Sequence, residues 1–310
     1  MSKRNEIEPG DVLTDTSKRE WVLGDVLGKG GFGCIYTARL CSEEESEKYV
    51  IKIEPKSNGP LFVEQVFYQR VGKADMIADW CKKNNLTYLG IPSFHGFGFY
   101  TKNKKDYRFI IIDRLGCDLY HILQHNNYTL PLRTVCLIAA KIIVVLKYLH
   151  EHGYAHSDIK ASNIAIATDD KNKIYLLDYG LSYRFMVDGR HVLYKRDPKK
   201  MHNGTIEFTS TDMHNGACPS RRGDLEILGY CIIKWLGGTL PWEDNLKNCK
   251  YVMESKIKFL NDIKQGIEAS LSACVEPVRR YFLYVKSLAY EQRPDYDLLI
   301  QLLTKNITRI

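Results

Sequence analysis

The run His156-Ser157-Asp158-Ile159-Lys160-Ala161-Ser162-Asn163 constrains this chain more than any other stretch. It sets one carboxylate, a lysine two residues on and an amide five residues on into a short polar segment, just after the apolar stretch Val135 to His150. Such a His-x-Asp run can be no more than a satisfied turn. The same residue types also suit phosphoryl transfer. The carboxylate takes or orients a hydroxyl proton, the lysine neutralises charge on the phosphoryl group, and the amide oxygen holds a magnesium ion.

Its companions decide between these readings. Fifteen residues beyond Asn163, after the apolar run Ile174 to Leu177, comes Asp178-Tyr179-Gly180, a second carboxylate at a strand end with a turn-permitting glycine behind it. Upstream lie Leu27-Gly28-Lys29-Gly30-Gly31-Phe32-Gly33-Cys34-Ile35 and then Val50-Ile51-Lys52. The glycines remove side chains so that backbone amides can close over phosphate oxygens. Alone they could be a plain hairpin turn, but followed by Lys52 on a strand they gain a cation that reaches the α and β phosphates.

Four motifs in this order resemble those of the eukaryotic protein kinases, with Tyr179 where most of that family has phenylalanine. The resemblance implies an α+β, bilobal fold: a small antiparallel sheet with one key helix, then a larger, mainly helical lobe. It divides the chain into a loose segment 1–18, an N-lobe 19–112, a hinge 113–116 and a C-lobe 117–305. It also implies ATP and Mg2+ as cofactors. Asp158 and Lys160 would be catalytic, and Asn163 and Asp178 would hold the metal. Leu27, Gly28, Lys29, Gly30, Gly31, Phe32, Gly33 and Ile35 would cover the nucleotide that Lys52 grips.

The bulk numbers fit one large or two modest lobes. With 310 residues and 45% hydrophobic content the chain can bury a sizeable core. A net charge of +7 is mild, spread along the chain and largely explained by solvated faces, though it hints at acidic or nucleic-acid-associated partners. No helix-turn-helix or zinc spacing supports direct sequence-specific nucleic-acid binding. The best apolar run, Leu137 to Leu149, is broken by Lys141 and Lys147, so a soluble protein without a membrane span is expected. Nine cysteines, an odd number with no Cys-x-x-Cys pair, and the lack of a secretory signal predict reduced thiols in an intracellular compartment.

Along the chain, alternation over Trp21 to Ile35 and Tyr49 to Ile53 predicts three strands, and Glu43 to Lys48 a charged hairpin tip. Pro60 to Val71 has helical spacing with proline near its start. Glu64 on it could be an ordinary surface glutamate; the kinase pattern makes it the partner of Lys52, for which Glu54 is too close on the same strand. A second helix is predicted over Met76 to Leu89, then strands over Ser93 to Tyr100 and Tyr107 to Ile112. By resemblance Ile112 backs an adenine slot, and backbone groups of Asp113 and Leu115 bind adenine. Asp118 is either a ribose ligand or a helix N-cap. Leu132 to Glu151 is an apolar-striped helix. Arg184, Arg190, Lys195, Arg196, Lys199 and Lys200 form either a solvated loop or a recruiting face for acidic or nucleic-acid-bound targets. Gly204 to Ser210 would be the shelf under the acceptor residue, and Asp224 a buried carboxylate fixing the catalytic loop.

The usual Ala-Pro-Glu is replaced by Ser220-Arg221-Arg222-Gly223-Asp224-Leu225-Glu226-Ile227-Leu228-Gly229-Tyr230, with Leu240-Pro241-Trp242 after it. This resembles the casein kinase 1 group. Gly59-Pro60-Leu61-Phe62, Gly204-Thr205-Ile206-Glu207-Phe208-Thr209 and Pro241-Trp242-Glu243-Asp244-Asn245-Leu246 narrow it further. With the loop at Asp158 and the Asp-Tyr-Gly, they look like the vaccinia-related kinases from residue 20 to about residue 300. The family implies serine/threonine specificity. It further implies a monomer acting on barrier-to-autointegration factor and histones, and no membrane. Because the chain ends at Ile310 it looks most like the tail-less poxviral type, a phosphoprotein of the host cytoplasm acting in viral DNA replication. A truncated cellular member, in the nucleus, is the alternative. A pseudokinase scaffold would have lost a motif lysine, aspartate or glycine, and a small-molecule phosphotransferase lacks the glycine loop and shelf. Ser157, where most kinases carry arginine, leaves no local cation for a phosphate on the activation segment.

Overall fold

Alternation of apolar and polar residues lays down the first of two units. The computed structural model describes residues 7–29, 33–43 and 48–305. One unit comprises Met1–Gly116 with Asp178–Gly180, the other Cys117–Leu177 with Leu181–Ile310. In the first, strands β1 (Val12–Thr14), β2 (Glu20–Lys29), β3 (Cys34–Leu40), β4 (Tyr49–Pro55), β5 (Phe94–Lys102) and β6 (Lys105–Asp113) form an antiparallel sheet of order β1-β2-β3-β4-β6-β5. Its inward residues Leu13, Trp21, Leu23, Tyr36, Ile51, Ile53, Phe109 and Ile111 form one core. Helices α1 (Pro60–Arg70) and α2 (Ala74–Lys83) complete the unit. Asn85, with φ at 53°, turns the chain just past α2, which therefore ends well before Leu89.

The expectation that 1–18 is loose fails for its described part. Val12–Thr14 pairs with β2, Leu13 is fully buried, and the Tyr36 hydroxyl donates to Ile7 O at 2.8 Å. Buried Asp15 accepts from Trp21 Nε1 at 3.0 Å and Arg19 Nε at 2.8 Å. The segment reads as polar on average, yet two apolar side chains at the right register suffice to seat it. Asp15, just past β1, also bridges Gly98 on β5, so the two edges of the sheet touch at that point and part of each is covered. Gly98 permits this: a Cβ there would sit 2.4 Å from the Phe109 ring and 2.9 Å from Thr14 O. Residues 44–47 of the expected hairpin tip and Gly30, Gly31 and Phe32 of the glycine loop lie outside the described residues.

The second unit is built on α4 (Leu132–Glu151), whose Val135, Cys136, Ala139, Ile142, Ile143 and Leu146 are fully buried. Each buried Ile or Leu contributes roughly 1.5–3 kcal/mol. Before it lies α3 (Leu119–His125). After it come the short strands β7 (Tyr154–Ala155), β8 (Ile164–Ile166), β9 (Ile174–Leu176), β10 (Tyr183–Arg184), β11 (Met186–Val187) and β12 (Arg190–His191), paired β7 with β10, β8 with β9 and β11 with β12. Helices α5 (Thr211–His214), α6 (Arg221–Trp235), α7 (Cys249–Asn261), α8 (Ile263–Leu271), α9 (Glu276–Ser287) and α10 (Tyr296–Thr304) follow. Ser220 caps α6 by accepting from Gly223 N at 3.2 Å. Tyr230, Trp242, Phe259 and Phe282 meet edge-on at 5.0–5.9 Å between the centroids of successive rings. Among the described residues no helix is long and apolar enough to cross a membrane, and all nine cysteines are free thiols. The Asp-Tyr-Gly motif, counted within 117–305 by sequence, packs with the first unit instead.

Burial lowers the pKa of His150, His191, His202 and His214, the last to about 3. Below the ordinary histidine value the unfolded chain binds protons that the folded chain refuses, so stability present at neutral pH is lost on acidification. His214 alone is expected to remove about 2 kcal/mol between pH 6.5 and roughly pH 5. Burial raises Glu226 to about 7, which acts in the opposite sense over the same range, so the histidine contribution is read against His214→Gln: on acidification urea midpoints of the natural chain should drop relative to those of the variant. Parallel profiles would show that His214 protonates freely in the folded protein.

Candidate active site

In the first unit Lys52 occupies the central strand β4, in register with Ile35 on β3 and Ile110 on β6. Ile51 and Ile53 point into the core, so the period of two turns Lys52 to the other sheet face. There its Nζ lies 2.7 Å from Glu64 Oε2 and 3.0 Å from Asp178 Oδ1. Burial opposes a charge on Lys52, but Glu64 and Asp178 outweigh it and hold the ammonium well above the ordinary lysine value. Burial likewise pushes Glu64 up, with Lys52 pulling against it. Glu54 serves the backbone instead, its carboxylate accepting from Leu61 N at 3.3 Å and so satisfying a donor at the start of α1.

Asp178 is placed by its neighbours. Its φ is 63°, Gly180 N donates to its Oδ1 at 3.3 Å, and Tyr179 N donates to Glu64 Oε1 at 3.4 Å. The Tyr179 ring is fully buried, stacked on Phe67 at 3.9 Å and edge-on to Tyr68 at 5.6 Å. The large aromatic after Asp178 therefore locks the motif onto α1. On β2 and β3, Gly28 pairs with Ile35 and Lys29 with Cys34, and Leu27 is exposed. A Cβ on Gly33 would come within 2.2 Å of Ile53 O, so only glycine lets β3 start so near β4. Asp113 ends β6. Its N–H donates to Ser93 O at 3.2 Å, and its carboxylate binds Ser93 N and His95 Nε2 at 2.9 and 2.7 Å. Its N–H is thus already engaged, and of its backbone groups the carbonyl is the candidate for the expected adenine contact. Leu115 is half-buried two residues on.

In the second unit the loop after β7 is held from below by Asp224. Its Oδ2 accepts from His156 N at 2.7 Å and its Oδ1 from Ser157 N at 2.8 Å, while His150 Nε2 lies 2.9 Å from Oδ2. Ser157 adopts φ 75°, its Oγ buried without a partner. His156 Nδ1 accepts from Asp158 N at 3.2 Å and Nε2 faces Leu177 O at 3.0 Å, which fixes the proton on Nε2. Asp158 is thereby presented with both oxygens engaged. Oδ2 receives Lys160 Nζ at 2.7 Å and Asn163 Nδ2 at 3.2 Å, and Oδ1 receives the Thr205 hydroxyl at 2.6 Å. Lys160 also donates to Thr205 Oγ1 at 3.0 Å. Asn163 Nδ2 is further tied to Asp158 O at 2.8 Å, leaving its amide oxygen as the group suited to a cation.

Sequence reading places Thr205 only in the shelf; its side chain belongs with Asp158. Asp118 is the N-cap of α3: its oxygens take His121 N and His121 Nδ1, each at 2.8 Å. The ribose alternative therefore has to compete with the cap for that carboxylate.

A lysine–glutamate–aspartate cluster on one unit and an aspartate–lysine–asparagine loop on the other define the protein kinase class, and the description "Protein kinase domain" matches residues 21–308. The chain is 46% identical over 300 residues to a protein named B1 kinase of vaccinia virus strain Ankara, covering 96% of this chain and 98% of that one. It is 43% identical to human serine/threonine-protein kinase VRK2, covering 97% of this chain and 61% of the relative. It is 40% identical to the nucleosomal histone kinase 1 of Drosophila melanogaster, covering 94% of this chain and 49% of the relative. The solved structure of vaccinia related kinase 3 superposes with a TM-score of 0.90 at 33% identity, covering 99% of this chain and 94% of that one. The chain belongs to the protein kinase family, in its vaccinia-related branch. The enzyme class that goes with this membership is the ATP-dependent serine/threonine protein kinase.

Proposed function

We propose that this kinase transfers the γ-phosphoryl group of ATP to serine or threonine hydroxyls of protein substrates, with Asp158 as the group that orients and deprotonates the acceptor. One observation carries this reading: a threonine hydroxyl, that of Thr205, already donates to Asp158 Oδ1 at 2.6 Å with the Lys160 ammonium beside it. A substrate hydroxyl at that carboxylate would find the same acceptor and the same cation. Lys160 then offsets charge that develops on the transferred group, and Lys52, steadied by Glu64, holds the α and β phosphates. Residues 27–35 would close over them, and the carbonyl of Asp113 and the N–H of Leu115 would bind adenine. Asn163 and Asp178 offer oxygen donors that suit Mg2+. When bound, that ion would neutralise phosphate charge.

The resemblance to the vaccinia-related kinases supports barrier-to-autointegration factor and histones as substrates, and the name of the Drosophila relative supports histones. The similarity to the vaccinia protein supports a poxviral role in DNA replication in the host cytoplasm. Arg184, Arg190, Lys195, Arg196, Lys199 and Lys200 are all exposed, and would favour acidic sequence near the acceptor.

The deciding experiment is transfer of labelled phosphate from magnesium-ATP to casein, histones and barrier-to-autointegration factor. Labelled phosphoserine or phosphothreonine is the expected product. Nucleotide binding with no transfer to any of the three would favour a scaffold instead. Because Ser157 replaces the cation that would read an activation-segment phosphate, phosphatase treatment is expected to leave activity within about twofold. Loss of nearly all activity would reverse that conclusion.

A further inference from the structure

Lys256, on α7, is fully buried. A buried lysine ordinarily touches a carboxylate. The bonds of Lys256 Nζ run instead to Ile206 O at 2.8 Å, Thr209 O at 2.6 Å and His214 Nε2 at 3.1 Å, with the faces of Tyr230 and Trp242 each 5.3 Å away. Three acceptors match the three protons of an ammonium; a neutral amine keeps two N–H donors for the carbonyls and would have to accept from His214 Nε2, reversing the proton order along the chain. With Lys256 donating, His214 must carry its proton on Nδ1, which faces His202 Nδ1 at 2.7 Å. The whole chain then runs one way, from lysine to His214 to His202.

The carbonyls that Lys256 holds belong to the stretch that begins at Thr205. Trp242 Nε1 holds Glu207 O at 2.8 Å in the same stretch, and Thr205 O receives Phe208 N and Thr209 N, each at 2.8 Å. We infer that Lys256 is a positioning residue for the acceptor site: its ammonium anchors residues 206–209 from beneath and so keeps the Thr205 hydroxyl on Asp158. This rests on reading Asp158 as the group that receives the acceptor proton.

The surroundings make the ammonium sensitive to pH. Glu207 in the stretch and Glu226 on α6 act on Lys256 only through space, and the Cys231 thiol on α6 does the same. Glu226 is bound by Thr211 and Tyr230, and Asp212 on α5 by Arg222. Burial dominates and brings the lysine down from 10.5 to about 7. Between those values the unfolded chain binds more protons than the folded one, so this group makes folding stability rise with pH while the charge that strengthens the anchor is being lost. Titration of Lys256 therefore does not lower transfer over that range by unfolding the chain.

The experiment compares the natural chain with Lys256→Met and Lys256→Arg. It follows transfer to casein from pH 6 to 9, affinity for a fluorescent ATP analogue, and deuterium exchange of peptides spanning 204–210. Natural enzyme is expected to show an alkaline fall in kcat that levels off at no more than about tenfold, the loss expected when the amine is removed altogether. Lys256→Arg, whose guanidinium keeps its charge, should lose that fall. Lys256→Met should lower kcat about tenfold with nucleotide affinity within twofold, and should speed exchange in 204–210 selectively. An alkaline fall retained in Lys256→Arg, or unchanged exchange in Lys256→Met, would overturn the inference. If Lys256→Arg does not fold, exchange in Lys256→Met decides. Natural enzyme that binds nucleotide and transfers nothing would defeat the proposed function, while the exchange result would still test the anchor.

Discussion

Asp158→Asn is expected to lower kcat for transfer to casein by about 10²- to 10⁴-fold, the range a positioned general base supplies. The substitution removes the ability to take a proton but leaves the local bonds replaceable. The new amide oxygen can face Lys160 and Asn163, which both donate to Oδ2 in the natural chain. The amide nitrogen then faces Thr205 Oγ1, now 2.6 Å away as a donor, and that hydroxyl can turn to accept. Folding stability should change by less than about 1 kcal/mol, and affinity for nucleotide by less than about threefold. Single-turnover transfer and a thermal melt together make the check. A variant that keeps a tenth or more of the natural rate would mean that Asp158 only fills space in its loop.

Asp224→Ala should be the most destabilising single change in the second unit. The carboxylate is bonded to His156 N, Ser157 N and the His150 ring, all at most 2% exposed. Removing it orphans buried donors at about 1–3 kcal/mol each, or several kcal/mol in total. At about 2–4 °C per kcal/mol for a chain of this size class, the melting temperature should fall on the order of 10 °C. Activity should fall further than stability explains, because Ser157 at φ 75° loses the bond that holds its N–H and Asp158 follows it. Calorimetry and kcat at a temperature where the variant is still folded separate the two effects. A melting temperature within about 2 °C of the natural chain would show that other contacts fix the loop.

Much of the fold and site is legible in the sequence, and the parts that are not share a cause. Lys52 and Glu64 each sit in a local pattern, strand alternation for one and helical spacing for the other, and the kinase resemblance pairs them. Asp224 stands out as a carboxylate opening an apolar helix. Thr205 is invisible as a partner of Asp158, since 47 residues separate them and a threonine carries no pattern of its own. Lys256 reads as one more cation on a helix that also carries Lys250 and Lys258; only the fold turns it inward. Leu13 and Ile7 are hidden by averaging over polar neighbours, and Asp118 shows that a short acidic residue before a helix is best taken as its cap.

The placement of Asp178–Gly180 has a consequence for how this chain is made. Lys52 and Asp178 are separated by 126 residues, so the first unit is not self-sufficient when its sheet has been synthesised. A nascent chain released as far as Gly116 still lacks the ring that stacks on Phe67 and one of the two counter-ions of Lys52. Non-local closure of this kind slows folding and lengthens exposure of unfinished surface. During translation the sheet must wait, incomplete at α1, until residue 180 has left the ribosome. A fragment cut after Gly116 would carry the same defect permanently.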